Sequence, residues 1–106
     1  MNFNQLRYFV AIVKHGSFWS AALEEYISQS SLSKQIKALE TELGVVLFNR
    51  TGNKITLTEA GQCFYDYALQ LLETKNEMHQ ELMAFEDTPI EEVKFASIPI
   101  VSSYKI

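Results

Sequence analysis

The chain has 106 residues, 47% of them hydrophobic and 21% charged, the balance of one soluble globular domain with one modest core. It holds no apolar run of about eighteen residues, and Met1-Asn2-Phe3-Asn4-Gln5 lacks the basic-then-apolar build of a signal peptide, so membrane spanning and secretion are not expected and the cytoplasm is the default. A single cysteine, Cys63, rules out an intrachain disulfide and reads as a small core or interface side chain; His15 and His79 are too far apart in sequence for a metal cluster, so no cofactor or metal is expected.

Leu6, Phe9, Val10 and Val13 recur at i, i+3, i+4, i+7 and predict a first helix that stops near His15-Gly16. Ser17 is placed to cap a second helix, whose Phe18, Ala21 and Ala22 form a face small enough for close helix approach. Ser28 is a second cap candidate. It is followed by Leu32, Ile36, Leu39 and Leu43 on one helical stripe, closed by Gly44. Tyr26 to Gln29 leaves only a tight connection between helices two and three, as in a helix-turn-helix.

Next, Val45 to Phe48 and Ile55 to Leu57 are short β-prone runs around Thr51-Gly52-Asn53-Lys54, a small hairpin or wing. From Thr58, another cap, a helix without proline is predicted from Glu59 to about Glu86, roughly 40 Å long at 1.5 Å per residue. Its Phe64, Ala68, Leu71, Lys75, Met78, Leu82 and Phe85 alternate steps of four and three, the seam of a coiled coil with one polar position. The first two turns should pack on their own domain; beyond Leu72 a helix from a second subunit is expected to cover the seam. Asp87-Thr88-Pro89 breaks the helix, and Glu91 to Val101 alternates as one β-strand, read as the first strand of a further domain. The sequence has no internal repeats.

A net charge of −4 is unusual for a chain that meets DNA, but the charge is unevenly distributed. Residues 1–60 carry six basic and five acidic groups, the rest three basic and eight acidic, and Lys34, Lys37, Arg50 and Lys54 cluster where the third helix and hairpin lie. Phosphate binding follows the local field, not the total. Opposite its apolar stripe the third helix presents Gln29, Ser30, Ser33, Lys34 and Lys37. Gln can pair with adenine N6 and N7, Lys with guanine O6 and N7, and hydroxyls with bases or phosphates, in a major groove wide enough for one helix. A solvated helix face would look similar; the surrounding order of helix, helix, short turn, polar-faced helix and basic hairpin favours the groove. Arg50 and Lys54 flank the hairpin tip as an arm on phosphates or in the minor groove would, with a structural salt bridge the alternative for Arg50.

The runs Leu6-Arg7-Tyr8-Phe9, Gly16-Ser17-Phe18, Ala21-Ala22, Ser28-Gln29, Leu32-Ser33-Lys34-Gln35-Ile36, Leu39-Glu40, Leu43-Gly44, Leu47-Phe48-Asn49-Arg50 and Leu57-Thr58-Glu59-Ala60-Gly61 are similar in order and spacing to the LysR-type signature over residues 1–61. The resemblance implies a bacterial transcription regulator with a winged helix-turn-helix (about 18–37), a dimerising linker helix, and a C-terminal effector-sensing domain of periplasmic-binding-protein type. Three positions depart from the family pattern: Glu25 replaces a usual leucine, with Leu23 and Tyr26 expected to supply the lost apolar contact; Ser30 replaces a frequent proline; and Asn53 holds a wing position that is commonly arginine.

The expected organisation is a mostly α fold: a winged helix-turn-helix at 1–58, a linker and dimerisation helix at 59–87, and the start of an effector-binding domain at 88–106. DNA contacts are expected from Gln29, Ser30, Ser33, Lys34, Lys37, Arg50, Asn53 and Lys54, and subunit contacts from the seam. The expected partners are double-stranded DNA with a dyad-symmetric operator, a second copy or a tetramer of the full-length protein, and a small effector through the C-terminal domain. No pair of side chains has the spacing of a nucleophile with its base, so an enzyme is not expected. The rival reading is a helical homodimerisation or adaptor module without DNA affinity, which the net acidity would suit.

Overall fold

The computed structural model describes residues 1–51 and 54–85. These residues form four helices and one two-stranded sheet in the order α1 (Phe3–His15), α2 (Phe18–Glu25), α3 (Gln29–Leu43), β1 (Phe48–Thr51), β2 (Lys54–Leu57) and α4 (Glu59–Met83). Met1–Thr74 form one unit; a second begins at Lys75 and is described as far as Phe85. The strand expected over 91–101 lies outside the described residues. Among the described residues no helix is long and apolar enough to cross a membrane.

Short side chains at the helix ends set the boundaries. The Ser20 N–H donates to Ser17 Oγ at 3.0 Å, the Ser31 N–H to Ser28 Oγ at 3.0 Å, and the Gly61 N–H to Thr58 Oγ1 at 2.9 Å. Each cap satisfies an amide that the first helical turn leaves without a partner. Gly16 and Gly44 close α1 and α3 in the left-handed region, at φ 75° and 76°. At the start of α1, the Gln5 N–H donates to Asn2 Oδ1 (2.8 Å) while the Asn2 N–H donates back to Gln5 Oε1 (3.2 Å), a reciprocal capping box.

The core of the first unit lies between α1, α2, α3, the root of the hairpin and the start of α4. Phe9 sits at its centre with no exposed surface. Its ring centroid lies 5.1 Å from that of Phe48 and 4.9 Å from that of Phe64, the latter edge-on. Leu32, Ile36 and Leu39 bring α3 onto this centre, and Phe18, Ala21 and Ala22 bring α2. Buried Gln5 adds a polar tie between α1 and α3, since its Nε2 donates to Gln35 Oε1 at 3.2 Å.

The hairpin differs from the expectation. β1 starts at Phe48 rather than Val45, and it pairs antiparallel with β2 from Phe48↔Leu57 to Thr51↔Lys54. Val45 and Val46 are exposed in the connection, while Leu47 and Phe48 take the buried positions. The root is clamped from both sides: the Leu47 N–H donates to Glu40 Oε2 (2.8 Å) of α3, and the Leu47 carbonyl accepts the Thr58 N–H (3.0 Å) at the start of α4.

Two seam positions pack on the chain's own core, Phe64 in the first two turns, where this is expected, and Ala68 just beyond them. Phe64 packs edge-on against Phe9, and Ala68 is fully buried in the same core, with Leu72 half-buried against it. The chain therefore covers its own α4 at these positions. Leu71 in the first unit, and Met78, Leu82 and Phe85 in the second, are exposed, as is Lys75. Cys63, expected in a core or interface, is exposed in this chain.

Candidate nucleic-acid interface

α2 and α3 are joined by a turn in which Tyr26, at φ 60°, is the one non-glycine residue in the left-handed region among the described residues. The Ile27 N–H then donates to the Ala22 carbonyl at 3.1 Å, and Ile27 packs on the core, so the chain reverses over Tyr26, Ile27 and Ser28. α3 starts at Gln29, which points the first turn of the polar face outward because Leu32, Ile36 and Leu39 are committed to the core. Gln29, Ser30, Lys34 and Lys37 are exposed and Ser33 is half-buried.

One concave surface collects four of the eight expected DNA-contact residues. Gln29 and Ser33 from α3, Arg50 from β1, Lys54 from β2, and Ser17 and Trp19 from the start of α2 line it together. Arg50 and Lys54 come from opposite strands but lie one pair apart in the register, Arg50 opposite Ile55 and Lys54 opposite Thr51. The guanidinium of Arg50 rests 4.3 Å from the ring centroid of buried Phe18, a cation–π contact that orients the group without neutralising it. Among the described residues no ion pair includes Arg50, so the salt-bridge alternative gives way to an aromatic support.

The remaining candidates separate. Ser30 and Lys34 stand on the exposed face of α3 but outside this concavity. Lys37 lines a different hollow near the far end of α3, with Thr41 and Val46. Asn53 lies outside the described residues.

The packing of α2 around Glu25 is resolved differently from the expectation. Leu23 and Tyr26 are 59% and 94% exposed and supply no apolar replacement for the usual leucine. Instead the Arg7 Nε–H donates to Glu25 Oε1 at 2.7 Å, with the Glu25 side chain 12% exposed and that of Arg7 51%. Arg7 also donates to Asn4 Oδ1 at 3.0 Å, so the pair ties α2 to the start of α1.

Sequence reasoning missed Trp19. The signal was present: with Phe18, Ala21 and Ala22 committed inward, position 19 points about 100° away from Phe18 and off the packed face, and the side chain is 63% exposed.

Residues 3–62 match the family model described as the bacterial regulatory helix-turn-helix protein, lysR family. The chain is 44% identical over 100 residues to the probable RuBisCO transcriptional regulator of Thalassiosira pseudonana, covering 94% of this chain and 33% of that protein. It is 49% identical over 72 residues to the HTH-type transcriptional regulator ClcR of Pseudomonas putida, covering 68% of this chain and 24% of that one. The chain thus spans a third or less of the length of these curated relatives. The crystal structure of the BenM_DBD/catB site 1 DNA complex is similar at a TM-score of 0.79 and 38% identity, over 84% of this chain and 99% of that one. A helix-turn-helix with a basic hairpin beside its polar helix, carried on these matches, places the chain in the LysR family of bacterial regulatory helix-turn-helix proteins.

Proposed function

We propose that this chain is the DNA-reading part of a transcription regulator that binds a duplex operator of dyad symmetry as a homodimer. The observation that carries this reading is the convergence of Gln29, Ser33, Arg50 and Lys54 on one concave surface, with base-reading groups on α3 and cations on the hairpin beside it. α3 enters the major groove, where Gln29 and Ser33 meet base edges and Ser30, Lys34 and Lys37 serve as further groove or phosphate contacts. Arg50 and Lys54 lie against the flanking backbone, and Asn53 is kept as a further expected contact from its place in the sequence. The BenM structure, a complex with DNA, supports this use of the fold.

Two-fold pairing rests on the exposed stretch of α4, where Leu71, Met78, Leu82 and Phe85 leave apolar surface uncovered within one chain and Lys75 is the polar position. Residues 59–87 act as the linker and residues 88–106 lead toward the effector domain that the relatives' greater length accommodates. The reading assigns the chain to the cytoplasm, with no catalytic role.

The acidic net charge favours the rival adaptor, but only where the charge sits matters for phosphates. Titration of labelled duplexes separates the two. Gln29→Ala should cost about 1–3 kcal/mol on a cognate site and relax preference at one base position. Lys54→Ala should weaken all duplexes alike and flatten the dependence of log affinity on log salt by about one unit. Absence of salt-dependent binding by the parent chain would establish the adaptor instead.

A further inference from the structure

Trp19 is the chain's single tryptophan, and 63% of it faces solvent at the start of α2. It does not belong to the core, whose contribution from α2 is Phe18, Ala21 and Ala22. It lies on the same concave surface as Gln29, Ser33, Arg50 and Lys54. A large ring left in water forfeits the burial that ordinarily holds tryptophan in place. The surroundings specify what would cover it. Two cations, an amide and two hydroxyls select a partner rich in acceptors and negative charge. The indole adds an apolar face and one N–H that can only donate. The backbone of a duplex has this alternation, with apolar deoxyribose faces between anionic oxygens, whereas base stacking on an aromatic ring requires an unpaired strand.

We propose that Trp19 is a contact to the sugar-phosphate backbone of the duplex: its ring packs on a deoxyribose at the edge of the half-site, and its Nε1–H donates to an adjoining phosphate oxygen. The proposal rests on the duplex-binding reading above. Arg50, held by Phe18, and Lys54 neutralise neighbouring phosphates, so a neutral donor and two cations share one stretch of strand. The contact pins the start of α2, and through the short turn it fixes how far α3 enters the groove. Its contribution is not ionic and therefore does not follow the release of counterions.

The test uses the 106-residue chain and a short fluorescein-labelled duplex of mixed sequence, with anisotropy and tryptophan emission read in the same titration. Emission of the parent should change on binding and saturate with the anisotropy, since Trp19 is its only source. Trp19→Ala should bind about tenfold more weakly, as for loss of a hydrogen bond to a charged group together with its packing, with an unchanged salt slope. Trp19→Phe should fall between the two. Trp19→Lys should regain affinity at low salt while steepening the slope by about one unit, a response that a merely structural tryptophan would not give. Parent-like affinity of Trp19→Ala within twofold, unchanged emission, or an unchanged slope for Trp19→Lys in a chain that does bind duplex would overturn the proposal and leave the duplex reading intact. A parent chain without salt-dependent affinity would remove the reading and the proposal together. Melting each variant identifies any that has lost its fold, and Trp19→Lys then carries the decision.

Discussion

Gly61→Ala sets two principles against each other. Helix propensity favours alanine by up to about 1 kcal/mol, and by less in a first turn such as this one. Packing opposes it. A Cβ built on Gly61 would overlap the Leu47 carbonyl oxygen and lie 3.0 Å from both the Leu47 carbonyl carbon and Leu57 Cδ2. Carbon contacts settle near 3.5–4.0 Å and carbon–oxygen contacts near 3.3–3.6 Å, so relieving the overlap with the oxygen parts α4 and the hairpin root by more than about 1 Å. The same carbonyl accepts the Thr58 N–H at 3.0 Å, a bond that such a displacement breaks. Overpacking costs about 1–3 kcal/mol and the hydrogen bond about 1 more, which leaves a net loss of about 1–4 kcal/mol after the propensity gain. For a domain of this size that lowers the melting temperature by roughly 5–30 °C, readable by circular dichroism. A variant that melts at or above the parent temperature would refute the close-approach argument and give the contest to propensity.

Two further outcomes follow from the contacts. Glu25→Leu exchanges an ion pair worth about 0–1 kcal/mol for apolar burial at a largely covered site, leaving Arg7 half in water and bonded to Asn4, so the melting temperature should rise by roughly 4–8 °C; a fall would show that the pair holds α2 to α1. Leu82→Asp changes a side chain that is 58% exposed in the single chain, so the fold should be kept while light scattering shows the particle mass halved; a soluble variant still dimeric at micromolar concentration would remove Leu82 from the interface.

The parts of the fold that could be read in the sequence are those governed by nearest neighbours. Ser17, Ser28 and Thr58 cap where their hydroxyls reach an amide three residues on, and Gly16 and Gly44 end helices because the left-handed turn suits them. The capping box of Asn2 and Gln5 has the same local character, though it was not among the expected caps. Misreadings arose where distance along the chain intervened. The partner of Glu25 is eighteen residues away on α1, and no periodicity announces it. The apolar run from Val45 to Phe48 looked like a strand, but its burial comes from Leu47 and Phe48 filling the root of the hairpin, while most of the strand that pairs is polar. The seam on α4 is continuous in spacing; that its first two turns pack on their own domain is expected, and the fold adds that Phe64 meets Phe9 and that Ala68 joins the same core. At the site, Gln29, Ser33, Arg50 and Lys54 could be proposed from residue type; that they share one surface with Trp19 depends on how the hairpin folds back beside α2.

The peptide groups of Leu47 join three elements at a point. Its N–H is held by a carboxylate of α3, its carbonyl by the first amide of the α4 cap, and the bare α-carbon of Gly61 lies against that carbonyl. In mechanical terms this is a rivet: there is little slack through which the beginning of α4 could tilt while α3 and the hairpin stay behind. A displacement of the first turn of α4 reaches α3 through Glu40 and β1 through the next residue, Phe48, so these three pieces of the first unit shift together. Loosening the rivet, as with Glu40→Ala, turns a fixed joint into a hinge, and the start of α4 would then move without taking α3 and the hairpin with it.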